Sequence, residues 1–272
     1  MDDVNQYTTM TDTTGGESGR GEPAFRLAGL HKVFGDHTAA DHVDLTVRPG
    51  SFYGLVGPNG AGKTTTLSMA VGLLRPDAGT AEVHGVDVWQ EPLKARRLLG
   101  VLPDGLAMPE RLTGRELLTY LGQLHGIDAD EVDRRADELL AVMELDGSAE
   151  RTLVVDYSTG MRKKVGLATA LLHAPRMLVL DEPFEAVDPV SAATIKQILR
   201  RFVDRGGSVL ISSHVMALVE ELCDTVGVMA RGRVVAEGPL DEVCGGRTLE
   251  ETFVDLVGVT VGGGEGLSWL AS

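Results

Sequence analysis

Between residues 25 and 56 apolar and polar positions alternate in short runs, as at Val43, Leu45 and Val47, and Pro49-Gly50 interrupts the pattern. Alternation with a period of two puts successive side chains on opposite faces, so this stretch predicts strands joined by turns, a small antiparallel layer. Leu55 and Val56 lie on the last of these strands, Thr64–Leu74 predicts a helix stopped by Pro76, and Thr80–His84 and Leu99–Leu102 predict further short strands. From Thr113 to Met143 the period becomes helical: Leu117, Leu121 and Leu124 fall at i, i+4 and i+7, followed by Val132, Ala136, Leu139, Leu140 and Met143. After a further helix past Ser158, the run Met177–Leu180 is apolar without alternation, which suits a parallel strand covered on both faces. Ile195, Ile198, Leu199 and Phe202 mark another helix, and Val209–Ile211 and Val226–Met229 two more strands. The alternation of strand and helix predicts an α/β fold with a parallel sheet.

The ends differ from the middle. Residues 1–22 are rich in Thr, Asp and Gly, carry five acids against one Arg and have no apolar period, which predicts a disordered leader. After Gly246 the pattern allows one short helix, Leu249–Val257, then a Gly262-Gly263-Gly264 break and an apolar end, Leu267–Leu270. The expected division is a core formed by 23–103 and 160–245, a helical subdomain over 104–159, and a helix with a flexible tail over 246–272.

Composition narrows the classes. A chain of 272 residues with 43% hydrophobic content can fill one large domain or a domain with an insert. It has no apolar run of the roughly 18 residues that cross a bilayer and no apolar secretion-signal core in the first twenty positions, so a cytosolic chain is expected. Cys223 and Cys244 lack metal-ligand spacing and read as small buried hydrophobes. The net charge of -15 argues against a nucleic-acid partner. Asp104–Asp156 holds thirteen acids against five arginines, which reads equally as a solvated face or as a docking face.

Chemistry enters at residues 57–65, Gly57-Pro58-Asn59-Gly60-Ala61-Gly62-Lys63-Thr64-Thr65. Gly57, Gly60 and Gly62 are expected to turn through positive φ and aim backbone N–H groups at phosphate oxygens. Lys63 would reach the β and γ phosphates, and Thr64 would open a helix whose positive end favours the anion while its hydroxyl ligates Mg²⁺. The alternative is a glycine-rich turn before an ordinary helix. With Asn5 and Asn59 as the sole asparagines, an Asn-Lys-x-Asp guanine motif is excluded, and ATP is the expected nucleotide.

The order of this loop, the helical insert, YSTGM at 157–161, MLVLDEP at 177–183, AVDP at 186–189 and SSH at 212–214 resembles the ATPase subunit of ABC transporters over about residues 24–245. YSTGM in place of the commoner LSGGQ, and the helix-bearing tail, resemble the exporter branch whose relatives move drugs, antibiotics and lipids. The resemblance implies a P-loop NTPase with a RecA-like parallel sheet core, a small antiparallel β layer and an α-helical insert. It also implies ATP and Mg²⁺ as cofactors. Asp181 would hold Mg²⁺ through its water shell and Glu182 would act as general base, against the alternative of simple turn capping. His214 would contact the γ-phosphate and help hold the attacking water, Phe34 would stack on adenine, and Asp104, where Gln or in similar exporters Glu is usual, would approach Mg²⁺. Plain core packing is the alternative for Phe34.

Ser158 and Gly160, flanking Thr159, would offer a helix N-terminus to the γ-phosphate held by a partner subunit, and Asp188 would couple the two sites across the seam. N-capping is the alternative for Ser158 and for Asp188. The implied assembly is a homodimer, or a paired ATPase subunit, with two ATP molecules between subunits that drive separate transmembrane permease subunits at the cytoplasmic face of the membrane. A soluble switch of the same ATPase class is the rival. The 94 residues between Lys63 and Ser158 leave no room for the long coiled coils of chromosome-associated relatives.

Overall fold

The computed structural model describes residues 22–105 and 108–257. In chain order the first strands are β1 (Phe25–Phe34), β2 (His37–Val47) and β3 (Phe52–Val56), and β3 leads into α1 (Lys63–Ala70). Then come β4 (Ala78–Val83), β5 (Val86–Asp87), α2 (Pro92–Leu98), β6 (Leu99–Leu102), α3 (Gly114–Leu124), α4 (Ala129–Val142), α5 (Ser148–Arg151) and α6 (Thr159–Leu171). The remaining elements are β7 (Met177–Leu180), α7 (Pro189–Asp204), β8 (Ser208–Ser213), α8 (Met216–Leu222), β9 (Thr225–Ala230), β10 (Arg233–Pro239), α9 (Leu240–Cys244) and α10 (Leu249–Val257).

Two sheets organise the chain. The larger has the order β10-β9-β3-β8-β7-β6 and is parallel from β9 to β6, with β10 added antiparallel at one edge. Every residue of β3, β7 and β8 is buried, the signature of strands covered on both faces. Parallel strands end on the same side, so Gly57 after β3, Asp181 after β7, His214 after β8 and Pro103-Asp104 after β6 all emerge at one rim. Ligands of open α/β sheets bind at such a rim.

The smaller sheet, β2-β1-β4-β5, is antiparallel. Its inward residues Phe25, Leu27, Val43 and Leu45 share a core with Tyr53 and Leu55 of β3 and Met69 of α1. The helical insert begins with a capping box, in which Thr113 accepts from the Glu116 N–H and Glu116 accepts from the Thr113 N–H. Leu117, Leu118, Ala136, Leu140 and Met143 join the insert to the second core cluster, with Leu167, Leu178 and Leu180.

Several expectations change. The helix after the phosphate loop stops at Ala70 rather than Leu74, because Gly72 adopts φ +81° and the helical bonds cannot continue through it. Leu124 is 66% exposed; the buried face of α3 is carried by Leu117, Leu118 and Gly122, where a Cβ would meet Val132 at 2.5 Å. The sequence pattern does not predict β5, α2, α5, α8, β10 or α9. Cys223 and Cys244 are free and buried, and burial pushes the Cys223 thiol well above its usual range. Along α4 Glu131 and Glu138 are paired within the insert: Arg134 bridges the two, and Arg135 also contacts Glu131. The helix Leu249–Val257 is present as α10. The leader, the glycine break at 262–264 and the apolar end at 267–270 lie outside the described residues, apart from Glu22.

Candidate functional site

The loop after β3 wraps an anion cradle. Gly60 and Gly62 sit at φ +80° and +102°, as expected, but Gly57 does not have positive φ. Its glycine is required for another reason: a Cβ there would lie 2.3 Å from the Met229 carbonyl oxygen on β9. Gly62, the N-cap of α1, is doubly constrained, since its Cβ would come 2.1 Å from the Ala39 carbonyl. The N-terminus of α1 has no side-chain cap and no acid in its first turn, so its partial positive charge is left for a ligand. Lys63 folds back over the loop, donating to the Gly57 carbonyl at 2.7 Å and the Pro58 carbonyl at 3.4 Å, with its Nζ 3.5 Å from Glu182 Oε1. Its ammonium thus rests on carbonyl oxygens of the loop itself.

Glu182 is the centre of the site. It adopts φ +45°, a left-handed conformation that is strained for a residue other than glycine, immediately after β7. The strain is held by two contacts: its N–H donates to Ser212 Oγ at 2.9 Å, and its carbonyl accepts from Lys163 Nζ at 2.9 Å. Its second carboxylate oxygen lies 3.0 Å from His214 Nδ1. A cleft of about 430 Å³ gathers Phe34, the loop from Pro58 to Thr65, Asp104, Glu182 and His214, a volume suited to a small-molecule ligand. Phe34 is 49% exposed at its mouth, which removes core packing as its role, and Lys32 Nζ lies 5.6 Å from the ring centre.

Thr64 is exposed in the cleft and Asp104 carries an open carboxylate there, 4.0 Å from Lys163 Nζ, so oxygen donors suited to a hard cation face the loop. Asp181 does not line the cleft. It is 3% exposed, accepts a short hydrogen bond from Ser212 Oγ, and its N–H bonds the Leu102 carbonyl at 2.8 Å. It stands one layer behind Glu182.

Ser158, Gly160 and Asp188 do not line the cleft either. Ser158 caps α6 by accepting from the Met161 N–H at 3.2 Å. Asp188 caps α7, accepting from the Val190 and Ser191 N–H groups at 3.0 Å each, and these bonds, the one from Ser191 foremost, hold its carboxyl below the usual range. Gly160 is buried against that cap: a Cβ would meet Asp188 Oδ2 at 2.9 Å and Ser191 Oγ at 3.0 Å. Within one chain, therefore, the signature segment and Asp188 form a second, separate pair of helix starts.

Sequence reasoning missed Lys163, Ser212, His37, Ala39 and Glu185. Ser212 lies in the SSH motif and could have been singled out, whereas the others carry no local signal. A larger hollow of about 920 Å³ between α4, α6 and α7 includes none of the motif residues.

The family described as ABC transporter matches residues 40–185. The chain is 40% identical over 222 residues to the daunorubicin resistance ATP-binding protein DrrA3 of Streptomyces coeruleorubidus, covering 82% of this chain and 70% of that protein. It is 34% identical over 228 residues to the linearmycin resistance ATP-binding protein LnrL of Bacillus subtilis, covering 83% and 73% respectively. A solved structure of the ATP-binding subunit of an ABC transporter superposes with a TM-score of 0.79 at 28% identity, over 86% of this chain and 99% of that one. The chain belongs to the ABC transporter family, as an ATP-binding and ATP-hydrolysing subunit.

Proposed function

We propose that this chain is the motor subunit of an exporter, with two copies closing on two ATP molecules and driving separate membrane-spanning subunits at the cytoplasmic face of the membrane. The cargo class is a drug, an antibiotic or a lipid-like compound, by analogy with the resistance proteins it is similar to. One observation carries the reading: the phosphate loop, Glu182 and His214 share a cleft, while the Ser158–Gly160 helix start lies outside it and is left to serve a second copy.

In this reading the loop N–H groups and Lys63 hold the phosphates, and Phe34 supports the adenine. Glu182 takes the proton from the attacking water while His214 orients that water and its own carboxylate partner. Mg²⁺, when bound, neutralises phosphate charge, and Thr64, Asp104 and, through water, Asp181 are the residues that would hold it. Ser158 and Gly160 present the α6 N-terminus to the partner's nucleotide, and Asp188, fixed to Gly160 by contact, communicates closure from one site to the other.

The transport role is tested by purifying the chain from gently solubilised membranes. Co-purification with a multi-span membrane protein, and a higher ATPase rate in its presence, is the expected outcome. A chain that leaves with the soluble fraction and hydrolyses ATP at an unchanged rate when membranes are added would overturn it.

A further inference from the structure

We propose that His31, Asp41 and His42 form a binding site for a divalent transition-metal ion of the zinc class, on the antiparallel layer and independent of the nucleotide cleft. The site arises from a break in the β1–β2 register. Leu30 pairs with Val43 and Lys32 with Ala40, so His31 on β1 faces two residues, Asp41 and His42, on β2. Such a bulge re-aims side chains, and the left-handed backbone of His42, φ +52°, belongs to it.

The donors converge on one point. Ligand atoms of the three residues all lie within 4.8 Å of one another. His42 Nδ1 is 2.8 Å and His31 Nδ1 3.5 Å from the same carboxylate oxygen, Asp41 Oδ1. A tetrahedral ion with bonds of roughly 2.0–2.1 Å holds its ligands roughly 3.3 Å apart, so modest ring rotations suffice. His31 Nδ1 is shut off from solvent and has no hydrogen-bond partner among the described residues. Polar atoms in that condition are rare because they are costly, and an ion would supply the missing partner.

The surroundings fit a ligand set as well. Asp41 Oδ2 is occupied by Arg233 of β10, at 2.7 Å from Nε, which leaves Oδ1 aimed between the two imidazoles. The Asp41 N–H is tied to the Gly232 carbonyl at 2.8 Å, fixing the backbone. Outer partners of this kind orient metal ligands. An open cleft of about 510 Å³, walled by Asp41, His42, Asp44, Glu237 and Arg233, reaches the Asp41–His42 side of the cluster and gives an ion an approach. Two imidazoles with one carboxylate select a borderline ion such as Zn²⁺ over Mg²⁺ or Ca²⁺, which prefer oxygen alone. Occupied, the site would clasp β1, β2 and β10 beside Ala39, whose carbonyl backs Gly62 of the phosphate loop.

The test is calorimetric titration of the full chain, free of any affinity tag, with Zn²⁺ in buffer holding excess Mg²⁺, and a parallel titration with Co²⁺ read by visible absorption. One ion per chain, with a tetrahedral-type Co²⁺ spectrum, is expected. His42→Asn, which keeps a residue tolerant of left-handed backbone, and His31→Gln should each weaken binding by about 10-fold or more. Circular dichroism in chelator checks that both variants keep the wild-type fold. No Zn²⁺ binding at micromolar concentrations, or binding equally strong in both variants, would overturn the proposal.

Discussion

Replacing Glu182 by Gln separates two effects that the geometry combines in one side chain. In the free protein Glu182 Oε1 lies 3.5 Å from Lys63 Nζ, with side-chain exposures of 11% and 6%. Unit charges at that separation attract by roughly 5 kcal/mol at an effective dielectric constant near 20. Desolvation cancels much of this, leaving about 1.5–3 kcal/mol, the range for a hydrogen bond to a charged group. In the proposed phosphate-binding role of Lys63, phosphate oxygens compete with Glu182 for the same ammonium. Removing the charge while keeping the shape should therefore tighten ATP binding by about 10-fold or more, since about 1.4 kcal/mol is a factor of ten. It should also slow hydrolysis by about 10² to 10⁴, the usual loss for a positioned base. Anisotropy of a fluorescent ATP analogue with Mg²⁺ chelated reads the affinity, and phosphate release in Mg²⁺ reads the rate. An affinity unchanged or weaker in the Gln variant would show that Glu182 does not restrain Lys63. A rate within about 10-fold of wild type would remove it from the chemistry altogether.

Two further outcomes follow from the same geometry. Lys63→Ala and Ser158→Arg chains should each be inactive alone, yet regain ATPase activity when mixed, because one site of a head-to-tail pair then has both an intact loop and an intact signature; no recovery on mixing, or full activity of Ser158→Arg alone, refutes the shared site. Gly57→Ala should lower stability in urea by about 1–3 kcal/mol, because its methyl meets the Met229 carbonyl of β9 at 2.3 Å. Gly60→Ala has open space around its Cβ and carries only a left-handed backbone cost of about 1–2 kcal/mol, so a Gly60 variant distinctly less stable than the Gly57 variant contradicts the packing argument.

What could be read in the chain beforehand depended on the range of the contact that gives each residue its role. The start of the helix after the phosphate loop, the buried run Met177–Leu180 and the helix Leu249–Val257 are local patterns, and the structure has them within a residue or at the same bounds. The edge strand β10 alternates between intermediate and exposed positions and never shows the apolar period of a core strand, so it had no pattern to find. Gly57 looks like any other loop glycine, and its constraint comes from a strand 172 residues further on. Leu124 completed a helical stripe in the sequence, but α3 ends at that residue and the stripe leaves the core with it.

The consecutive carboxylates show the same limit most clearly. Asp181 and Glu182 are neighbours in sequence, and the resemblance implies Mg²⁺, through its water shell, for the first and the attacking water for the second. The left-handed turn at Glu182 sends the two side chains apart: Glu182 faces Lys63 and His214, while Asp181 points into the protein and is held by Ser212. Ser212 serves both residues, accepting from the Glu182 N–H and donating to the Asp181 carboxylate. A buried acceptor fixed in this way holds the strained turn in place, and the turn is what brings the Glu182 carboxylate to the loop. Glu182 is therefore positioned by a serine 30 residues away on β8, a contact that no motif at Asp181-Glu182 encodes.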